Sequence, residues 1–454
     1  MMSLQNHPDT IVAVSTPQGT GGIAVIRISG PDALRLARQY VNNVSDEPNK
    51  AVFGVFRDGT QMLDEVVATT FRAPHSYTGE DVVEISCHGS RYIQQALLEL
   101  LIQGGGRYAA PGEFTQRAFL NGKLDLSQAE AVADLIESQS ESAHRLAINQ
   151  LRGGFSRKLK EIRDKFVELT SLMELELDFS DEDVEFADRT ALRNIVDYLD
   201  SEVGMLVESF RKGNAIKNGV PVAIIGRPNV GKSTLLNVLL NEDRAIVSDK
   251  AGTTRDTVED TVNLGGVMFR FIDTAGIRDS ADEVETAGIA RSYKAAQMAQ
   301  VVLYLIDAAQ DEEATAAELS ALRSHVSLEG KTFILVRNKV DMNPAPVASG
   351  DVPMLDISAK QGIHIDQLRR MLVDSVGLLP DADTTLLTNV RHYEAMTHII
   401  EALSHVREGL ENHVPADLVV VDIRDALYHL GQITGQVTSD EVLGSIFGRF
   451  CIGK

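Results

Sequence analysis

The sequence predicts a multidomain α+β protein in which a helical domain is interrupted by an inserted, doubly wound α/β domain. Three observations support this architecture: the chain is long, its middle alternates strands with helices, and helical patterns flank that middle. With 454 residues, the chain exceeds what a single hydrophobic core usually contains. We predict an N-terminal α+β domain over 1–121, a helical domain over 122–218 and 380–454, and the inserted domain over 219–379.

The composition excludes several classes of protein. A hydrophobic content of 44% with 24% charged residues is typical of a soluble globular chain. The balance of 43 Lys and Arg against 65 Asp and Glu, a net charge of −22, argues against bulk electrostatic binding of nucleic acid, although it is compatible with a local basic patch. Two distant cysteines, Cys87 and Cys451, favour a reducing compartment over a disulfide framework. Neither a signal-peptide pattern nor an apolar run near the ~20 residues of a membrane span is present, so we expect a cytoplasmic protein.

The N-terminal domain is predicted from short apolar runs that alternate with turns. Residues 10–14 and 22–28 are predicted strands joined by a glycine-rich turn. Residues 64–71 and 81–87 continue the strand pattern, and residues 92–102 form a predicted helix. This mixture indicates an α+β domain.

The helical domain begins near Ser127, where apolar residues start to recur three or four positions apart, the stripe of an amphipathic helix. The recurring residues are Val132, Leu135, Ile136, Ala143, Leu146, Ala147 and Leu151. Charged helical sequence continues to about Asn218, and helical character returns after Leu379. We interpret the acidic run 174–185 as a solvated loop rather than a metal site, because no spacing in it fixes a coordination geometry.

The inserted domain is predicted from short apolar runs, each followed by a loop, with helical stretches between them. The predicted strands are 220–225, 268–272, 301–306, 333–337 and 354–357. Strands that alternate with helices in this way indicate a doubly wound, mostly parallel sheet.

The first loop of this domain carries a phosphate-binding pattern. Residues 226–233, Gly-Arg-Pro-Asn-Val-Gly-Lys-Ser, match G-x-x-x-x-G-K-[ST] between a strand and a helix. The glycines let backbone N–H groups point at phosphate oxygens, and the helix N-terminus adds the positive end of its dipole. We expect Lys232 to reach the outer phosphates and the hydroxyl of Ser233 to ligate Mg²⁺.

Further motifs identify the nucleotide as GTP. In Asn338-Lys-Val-Asp341, the carboxylate of Asp341 can accept two hydrogen bonds that guanine offers and adenine does not. Ser358-Ala-Lys360 completes base recognition, and Asp273-Thr-Ala-Gly276 supplies a Walker B aspartate and an N–H for the terminal phosphate. The predicted GTP contacts are Asn229, Val230, Gly231, Lys232, Ser233, Thr234, Ser248, Thr253, Thr254, Asp273, Thr274, Ala275, Gly276, Asn338, Lys339, Asp341, Ser358, Ala359 and Lys360.

Hydrolysis requires groups in the loops between these motifs. Thr254, in the Gly252-Thr-Thr-Arg-Asp256 segment, is the candidate to close onto Mg²⁺ and the terminal phosphate. Ile277 stands where Ras-type enzymes place the glutamine that orients the attacking water. Glu285 is the candidate replacement, and the alternative is that Glu285 is a solvated carboxylate of the switch.

These motifs, with segments at both ends of the chain, resemble the MnmE (TrmE) family of tRNA-modification GTPases over essentially the whole length. The segments are Tyr77–Asp81, Pro111–Leu126 and Phe450–Lys454. The resemblance implies a Ras-like G domain that is activated by K⁺ instead of an arginine finger, with Glu285 as the catalytic glutamate. The implied K⁺ ligands are Asn229, Ser248, Lys250 and Thr253. Lys250 replaces an apolar residue that is common in the family, which leaves a backbone carbonyl ligand unaffected.

The resemblance also implies that the N-terminal domain forms a homodimer and binds 5-formyl- or 5,10-methylene-tetrahydrofolate. The implied folate residues are Arg27, Glu84, Lys123 and Lys454. A carboxylate suits the amino-pyrimidine edge of a pterin, and basic groups suit the glutamate tail. Cys451 is a candidate catalytic nucleophile toward a pyrimidine ring, with Lys454 favouring its thiolate, although the resemblance leaves a covalent role open.

The resemblance finally implies a function and a partner. Family members act with the FAD-dependent flavoprotein MnmG (GidA), as a heterotetramer, to add a carboxymethylaminomethyl group to C5 of the wobble uridine of certain tRNAs. No membrane is involved. The alternative is a GTP-switched ribosome or ribonucleoprotein assembly factor without RNA-modifying chemistry. The Phe450–Lys454 ending and the folate-type N-terminal domain argue against that alternative.

Overall fold

The computed structural model describes residues 9–17, 19–178, 189–241, 260–272, 285–342, 354–376 and 385–454. The chain divides into two compact units. The first contains residues 1–136, 149–204 and 394–454, and the second contains residues 137–148 and 205–393.

The first unit contains the N-terminal sheet, which is antiparallel except at one edge. Its strands are β1 Ile11–Val14, β2 Ile23–Ser29, β3 Ala51–Asp58, β4 Gln61–Phe71, β5 Val82–His88 and β6 Arg107–Tyr108. They lie in the order β3-β4-β5-β2-β1-β6, and only the β1–β6 pair is parallel. Helices α1 Ala33–Tyr40 and α2 Arg91–Gln103 cover one face. The strands and the helix that the sequence predicts here are confirmed, whereas β3 and β6 were not predicted.

The core of this sheet follows from the alternation of its strands. On β2, Ala24, Ile26 and Ile28 are buried against α1 and α2, which leaves Arg27 on the opposite face. The register pairs Arg27 with Glu84 of β5, so two of the predicted site residues are direct cross-strand neighbours.

Helices follow the sheet and return at the C-terminal end of the chain. They are α3 Glu113–Leu120, α4 Leu126–Glu137, α5 Glu141–Leu151, α6 Gly154–Asp178, α7 Arg189–Asn218, α12 Val390–Glu411, α13 Ala416–Thr434 and α14 Asp440–Phe447. A stripe on α6 that includes Phe155, Leu159 and Ile162 is buried, and α6 packs against α13.

The apolar stripe from Val132 to Leu151 is not one helix, which corrects the sequence prediction. Residues 138–140 separate α4 from α5. The hydroxyl of Ser140 accepts a hydrogen bond from the N–H of Ala143 at 3.2 Å, so it caps the start of α5. The apolar residues on either side of the break, Ile136 and Ala143, are seven positions apart, which is the spacing of two helical turns, so the sequence pattern does not reveal the break.

The second unit contains the inserted sheet, whose strands run in the order β12-β11-β10-β7-β9-β8. They are β7 Val220–Gly226, β8 Asp260–Leu264, β9 Val267–Phe271, β10 Val301–Asp307, β11 Thr332–Asn338 and β12 Met354–Asp356. All neighbours are parallel except the edge strand β8, which was not predicted. Its helices are α8 Lys232–Asn241, α9 Glu285–Met298, α10 Glu312–His325 and α11 Ile365–Ser375.

Buried clusters cover both faces of this sheet, as a doubly wound fold requires. Strand β10 is buried over almost its whole length, so both faces of it are covered. Within the described ranges, every helix is too short or too polar to serve as a membrane span. The predicted boundaries at 121, 218 and 379 stay predictions.

Candidate functional site

The phosphate loop connects β7 to α8 and depends on two glycines. Gly226 and Gly231 have φ values of 150° and 103°, which residues with a Cβ rarely adopt. A Cβ on Gly226 would lie 2.3 Å from the carbonyl oxygen of Leu305, and one on Gly231 would lie 2.3 Å from Nδ2 of Asn338. Both positions therefore require glycine for close backbone approach as well as for conformation.

Lys232 lies over the loop that it is predicted to serve. Its ammonium donates hydrogen bonds to the carbonyl oxygens of Gly226 at 2.7 Å and Arg227 at 2.8 Å. Partial burial lowers the pKa of this lysine below its ordinary value. Ser233 and Thr234 follow in the first turn of α8, so the hydroxyl of Ser233 and the N–H groups of this turn occupy the end of the helix that attracts anions.

Asn338 joins three of the predicted motifs through its side chain. Its amide donates to the carbonyl oxygen of Val230 in the phosphate loop at 2.8 Å, and its Oδ1 accepts from the N–H of Ala359 at 3.0 Å. Asn338 is 3% exposed, so these bonds are made away from water. The phosphate loop and the two base-recognition motifs are thus held together by one side chain.

The other residues that the sequence predicts for base recognition belong to the same two motifs, Asn338–Asp341 and Ser358–Lys360. Ser358 is buried and its hydroxyl accepts from the N–H of Gln361 at 3.2 Å, which fixes the turn that also contains Lys360. Asp341 is exposed and follows the αL residue Lys339, which has a φ of 67°. The Asp341 carboxylate is therefore accessible to a ligand.

Asp307, at the end of β10, was not found by sequence reasoning. Its carboxylate accepts a hydrogen bond from the ammonium of Lys339 at 2.7 Å. Burial raises the pKa of Asp307, but the bond and charge of Lys339 outweigh burial and hold that pKa below its ordinary value. Its position at the end of an apolar predicted strand could have indicated it. It was overlooked because no recognised motif contains it.

Several predicted residues lie outside the described residues. They are Ser248, Lys250, Thr253, Thr254, Asp273, Thr274, Ala275 and Gly276. Glu285 is the first residue of α9, and its side chain is likewise outside the described part. Asn229 is described: it is exposed and has a φ of 60°, at the tip of the phosphate loop.

A second group of predicted residues meets on the N-terminal sheet. The guanidinium of Arg27 forms an ion pair with Glu84 at 2.8 Å and donates to the carbonyl oxygen of Gly453 at 3.4 Å. The ring centroids of Tyr77 and Phe114 lie 5.0 and 5.5 Å from its central carbon. Sequence reasoning missed both rings, although Tyr77 and Phe114 each lie in one of the quoted segments.

The C-terminal tail docks at this second group. Ile452 forms a β-bridge with Pro111, and Gly453 has a φ of 97° with the carbonyl oxygen of Val14 only 2.2 Å from a Cβ position. Lys454 is half-buried, and its pKa is lowered by burial and by Arg27, although Glu84 acts in the opposite direction.

Upstream of that bridge, the tail is anchored by aromatic side chains. Phe447 and Phe450 are buried against Leu126 and Ala129. Cys451 is an exposed free thiol between these anchors and the docked end. The tail is therefore an ordered part of the first unit.

Lys123 differs from the other three predicted folate residues. Its exposed ammonium donates to the carbonyl oxygen of Pro74 at 3.0 Å, on the loop that leads to Tyr77. The structure therefore brings Arg27, Glu84 and Lys454 together and places Lys123 on a neighbouring loop.

A partly buried ionic network lies beside the second group. Arg117 of α3, 7% exposed, bonds to carboxylate oxygens of Asp9 at 2.7 Å, Glu80 at 3.1 Å and Glu113 at 3.0 Å. Arg107 pairs with Asp9 and Glu113 as well. The network joins α3, which carries Phe114, to the loop that carries Tyr77, so it fixes the two rings around Arg27.

The described residues contain no group of three or more His, Cys, Asp or Glu side chains with metal-binding geometry.

Two family models match nearly the whole chain. The model described as the GTP-binding protein TrmE N-terminus matches residues 10–123, and the model described as the MnmE helical domain matches residues 126–451. A protein of Parabacteroides distasonis called tRNA modification GTPase MnmE is 52% identical over 464 residues, covering 98% of this chain and 100% of that protein. A protein of Flavobacterium psychrophilum with the same name is 48% identical and covers 99% and 100%.

Solved structures are similar over a smaller part. Era of Aquifex aeolicus is 28% identical, covers 40% of this chain and 65% of that chain, and has a TM-score of 0.27. The G domain of the T. maritima FeoB transporter is 22% identical, covers 34% of this chain and 98% of that chain, and has a TM-score of 0.26.

Proposed function

Because the chain belongs to the MnmE family of tRNA modification GTPases, we propose that it hydrolyses GTP to modify the wobble uridine of tRNA. The observation that carries this proposal is that Asn338 bonds both to the phosphate loop, at Val230, and to the N–H of Ala359. The chain that makes these contacts is 52% identical over nearly its full length to a protein called tRNA modification GTPase MnmE. The N-terminal site supplies the one-carbon chemistry that distinguishes such an enzyme from a simple switch.

GTP is recognised at both of its ends. The exposed Asp341 carboxylate accepts from the guanine edge, and the rigid bond from Asn338 to Val230 fixes the distance between base site and phosphate loop. A nucleotide that lacks the guanine donors leaves the carboxylate without partners, which costs about 1–3 kcal/mol or more of binding. We assign the other predicted GTP contacts to the same ligand.

Mg²⁺ and the phosphates are held at the start of α8. The Ser233 hydroxyl, with Thr254 of the switch, is proposed to hold the ion, and the bound ion neutralises charge on the phosphates. Lys232 keeps its ammonium over the loop through the Gly226 and Arg227 carbonyls and exchanges these bonds for phosphate oxygens when GTP binds. Glu285 orients the attacking water, because Ile277 cannot.

K⁺ is proposed as the activating ion. Asn229 extends from the exposed tip of the phosphate loop, which is where a ligand to an ion beside the phosphates must be. Ser248, Lys250 and Thr253 complete the proposed set from the switch. A bound monovalent cation there supplies the positive charge that other GTPases take from an arginine.

The Arg27–Glu84 group is proposed to bind a reduced folate, 5-formyl- or 5,10-methylene-tetrahydrofolate. A carboxylate beside a guanidinium, flanked by two aromatic rings, offers hydrogen bonds and stacking surfaces to a flat pterin ring. Lys454, in the C-terminal tail of the chain, adds a positive charge at the same place. We assign Lys123, on the neighbouring loop, to the glutamate of the folate.

Cys451 and the partners complete the proposal. Its exposed thiol lies two residues from the Gly453 carbonyl that Arg27 contacts, so a nucleophile is available beside the folate group. The chain acts as a homodimer, in a heterotetramer with the FAD-dependent MnmG (GidA), in the cytoplasm. The product is the carboxymethylaminomethyl group at C5 of uridine.

The test is the modification state of tRNA in a strain that lacks the gene. Mass spectrometry of wobble uridines should show loss of the carboxymethylaminomethyl group, which this chain restores and the Arg27→Ala variant does not. Unchanged wobble uridines would instead favour the GTP-switched assembly factor. That alternative predicts a defect in ribosome profiles with normal tRNA.

A further inference from the structure

One segment of this acidic chain is strongly basic. Residues 142–163 contain six Lys or Arg and one Glu, a local excess of five positive charges in a chain whose net charge is −22. The segment comprises most of α5, the turn after it and the first half of α6. Such a reversal of charge requires an explanation of its own.

Ion pairs account for only two of the six cations. Arg145 pairs with Glu141, and Lys158 pairs with Glu202 and, at 3.8 Å, with Glu161. The other four are exposed, and no carboxylate among the described residues forms an ion pair with them. We call these four, Arg152, Arg157, Lys160 and Arg163, the α6 basic surface.

This surface is held in place by a packed helix. Leu159 and Ile162 are fully buried on the opposite side of α6, which packs against α13. The guanidinium of Arg157 donates to the carbonyl oxygen of Arg152 at 3.2 Å, so the turn before the helix joins the same surface. At a rise of 1.5 Å per residue, Arg157 and Arg163 are about 9 Å apart along the axis.

The arrangement does not stabilise the helix that carries it. Acidic residues stabilise the first turn of a helix, but α6 has none there and has Arg157 at its end. Arg157 and Lys160 are three residues apart and are like-charged neighbours, and Glu161 and Asp164 follow them by four residues in the less favourable base-before-acid orientation. An external anion accounts for cations that the helix itself does not need.

The occupant is polyanionic rather than a protein. No large hydrophobic side chain among residues 142–163, all of which are described, is exposed, whereas the centre of a protein–protein interface is normally apolar and often aromatic. Cations without an apolar centre are the pattern of sequence-independent phosphate contacts.

We infer that the α6 basic surface binds the phosphate backbone of the RNA substrate. This inference rests on the proposed function, which makes tRNA that substrate. The surface contributes affinity and orientation, and it carries no information about base sequence. The net charge of −22 confines such binding to this surface instead of spreading it over the protein.

The test is the salt dependence of tRNA binding to the full-length protein. In the variant Arg152→Gln, Arg157→Gln, Lys160→Gln, Arg163→Gln, four phosphate contacts are removed. We expect the slope of log affinity against log salt, measured by fluorescence anisotropy between about 50 and 200 mM KCl, to decrease in magnitude by about 3, from roughly 0.7 per contact. Basal GTP hydrolysis and the melting temperature should be unchanged.

A matched variant removes the same charge elsewhere. Arg57, Arg193, Arg323 and Arg370 are exposed, and their four Gln substitutions should leave the slope within about 1 of wild type. Equal slopes for the two variants would overturn the inference, as would normal tRNA binding with loss of binding to a protein partner. Wild-type tRNA affinity in the α6 variant would refute the inference. The proposed function would still stand if the wild-type protein restores wobble modification.

Discussion

Asn338 shows what a single side chain adds to a motif. In sequence it is one residue of Asn-Lys-x-Asp, whereas in the fold it ties the phosphate loop to the turn of Ala359 through two bonds of 2.8 and 3.0 Å. Removing it would leave a buried carbonyl and a buried N–H without partners. The sequence identified the residue but not the bonds, because nothing in a linear pattern says which carbonyl lies opposite an amide.

The two cysteines should differ sharply in reactivity. Burial, and secondarily the nearby Asp64, raise the pKa of the Cys87 thiol to about 11, and Cys87 is 3% exposed. At pH 8 only about a thousandth of Cys87 is thiolate, whereas Cys451 is exposed. We expect iodoacetamide to alkylate Cys451 in folded protein while Cys87 stays unmodified, as measured by peptide mass mapping.

A denatured sample provides the control for this comparison, because both thiols are then accessible and should react at similar rates. Rapid labelling of Cys87 in the folded protein would contradict its placement in the sheet core. Slow labelling of Cys451 would contradict the exposed position from which a nucleophilic role is proposed.

At the scale of elements, helix α3 and the loop before β5 depend on one ionic network. Burial raises the pKa of Glu113, but its bonds to Arg107, Ala110 and Arg117 outweigh burial and lower that pKa. A depressed carboxyl pKa contributes stability above its unfolded value, near 4, and loses it as the pH falls through the folded value. The network therefore stabilises the first unit at neutral pH and is lost in acid.

Glu113→Gln tests this sign. At pH 7 the variant should lose about 3 kcal/mol of unfolding free energy, the scale of breaking a buried ion pair, and the difference from wild type should shrink as the pH falls below 4. Urea unfolding of both proteins at several pH values measures this difference in unfolding free energy. Glu65→Gln, at an exposed position on β4, should match wild type throughout, and a pH-independent deficit in Glu113→Gln would disprove the linkage.

The observed elements differ from the sequence predictions at the edge strand β8 and at the break before α5. The strands of the inserted sheet were predicted because each is an apolar run, but the edge strand β8, Asp-Thr-Val-Asn-Leu, alternates polar and apolar residues and lies outside that rule. The break before α5 was missed because apolar spacing continued across it. Both errors arise where local hydrogen bonding or an edge position, rather than burial, determines the structure.

For the whole molecule, the sequence named candidate site residues but not the contacts between them. The resemblance named Arg27 and Glu84 as ligand groups, but only the fold pairs them with each other and places Tyr77, Phe114 and Gly453 around them. These neighbours come from distant parts of the chain, including its last residues. Long-range contacts of this kind depend on topology, which no local pattern contains.

Catalysis by the whole molecule is tested by comparing two cations and one variant. The GTPase rate should fall at least ~10-fold when Na⁺ replaces K⁺, because the proposed site around Asn229 selects by ion size. Glu285→Ala should bind GTP with nearly wild-type affinity but hydrolyse it at least ~100-fold more slowly in K⁺, because loss of a water-positioning group affects the transition state and not the ground state.

The two effects separate the two proposed roles. If the cation lowers the barrier by charge and Glu285 lowers it by positioning water, the variant should stay slow in both salts and GTP affinity should change little. Equal wild-type rates in K⁺ and Na⁺ would eliminate the cation mechanism without affecting Glu285. A variant that retained most of its activity in K⁺ would instead return Glu285 to a solvated switch carboxylate and leave the positioning of water to another residue of the loops around the phosphates.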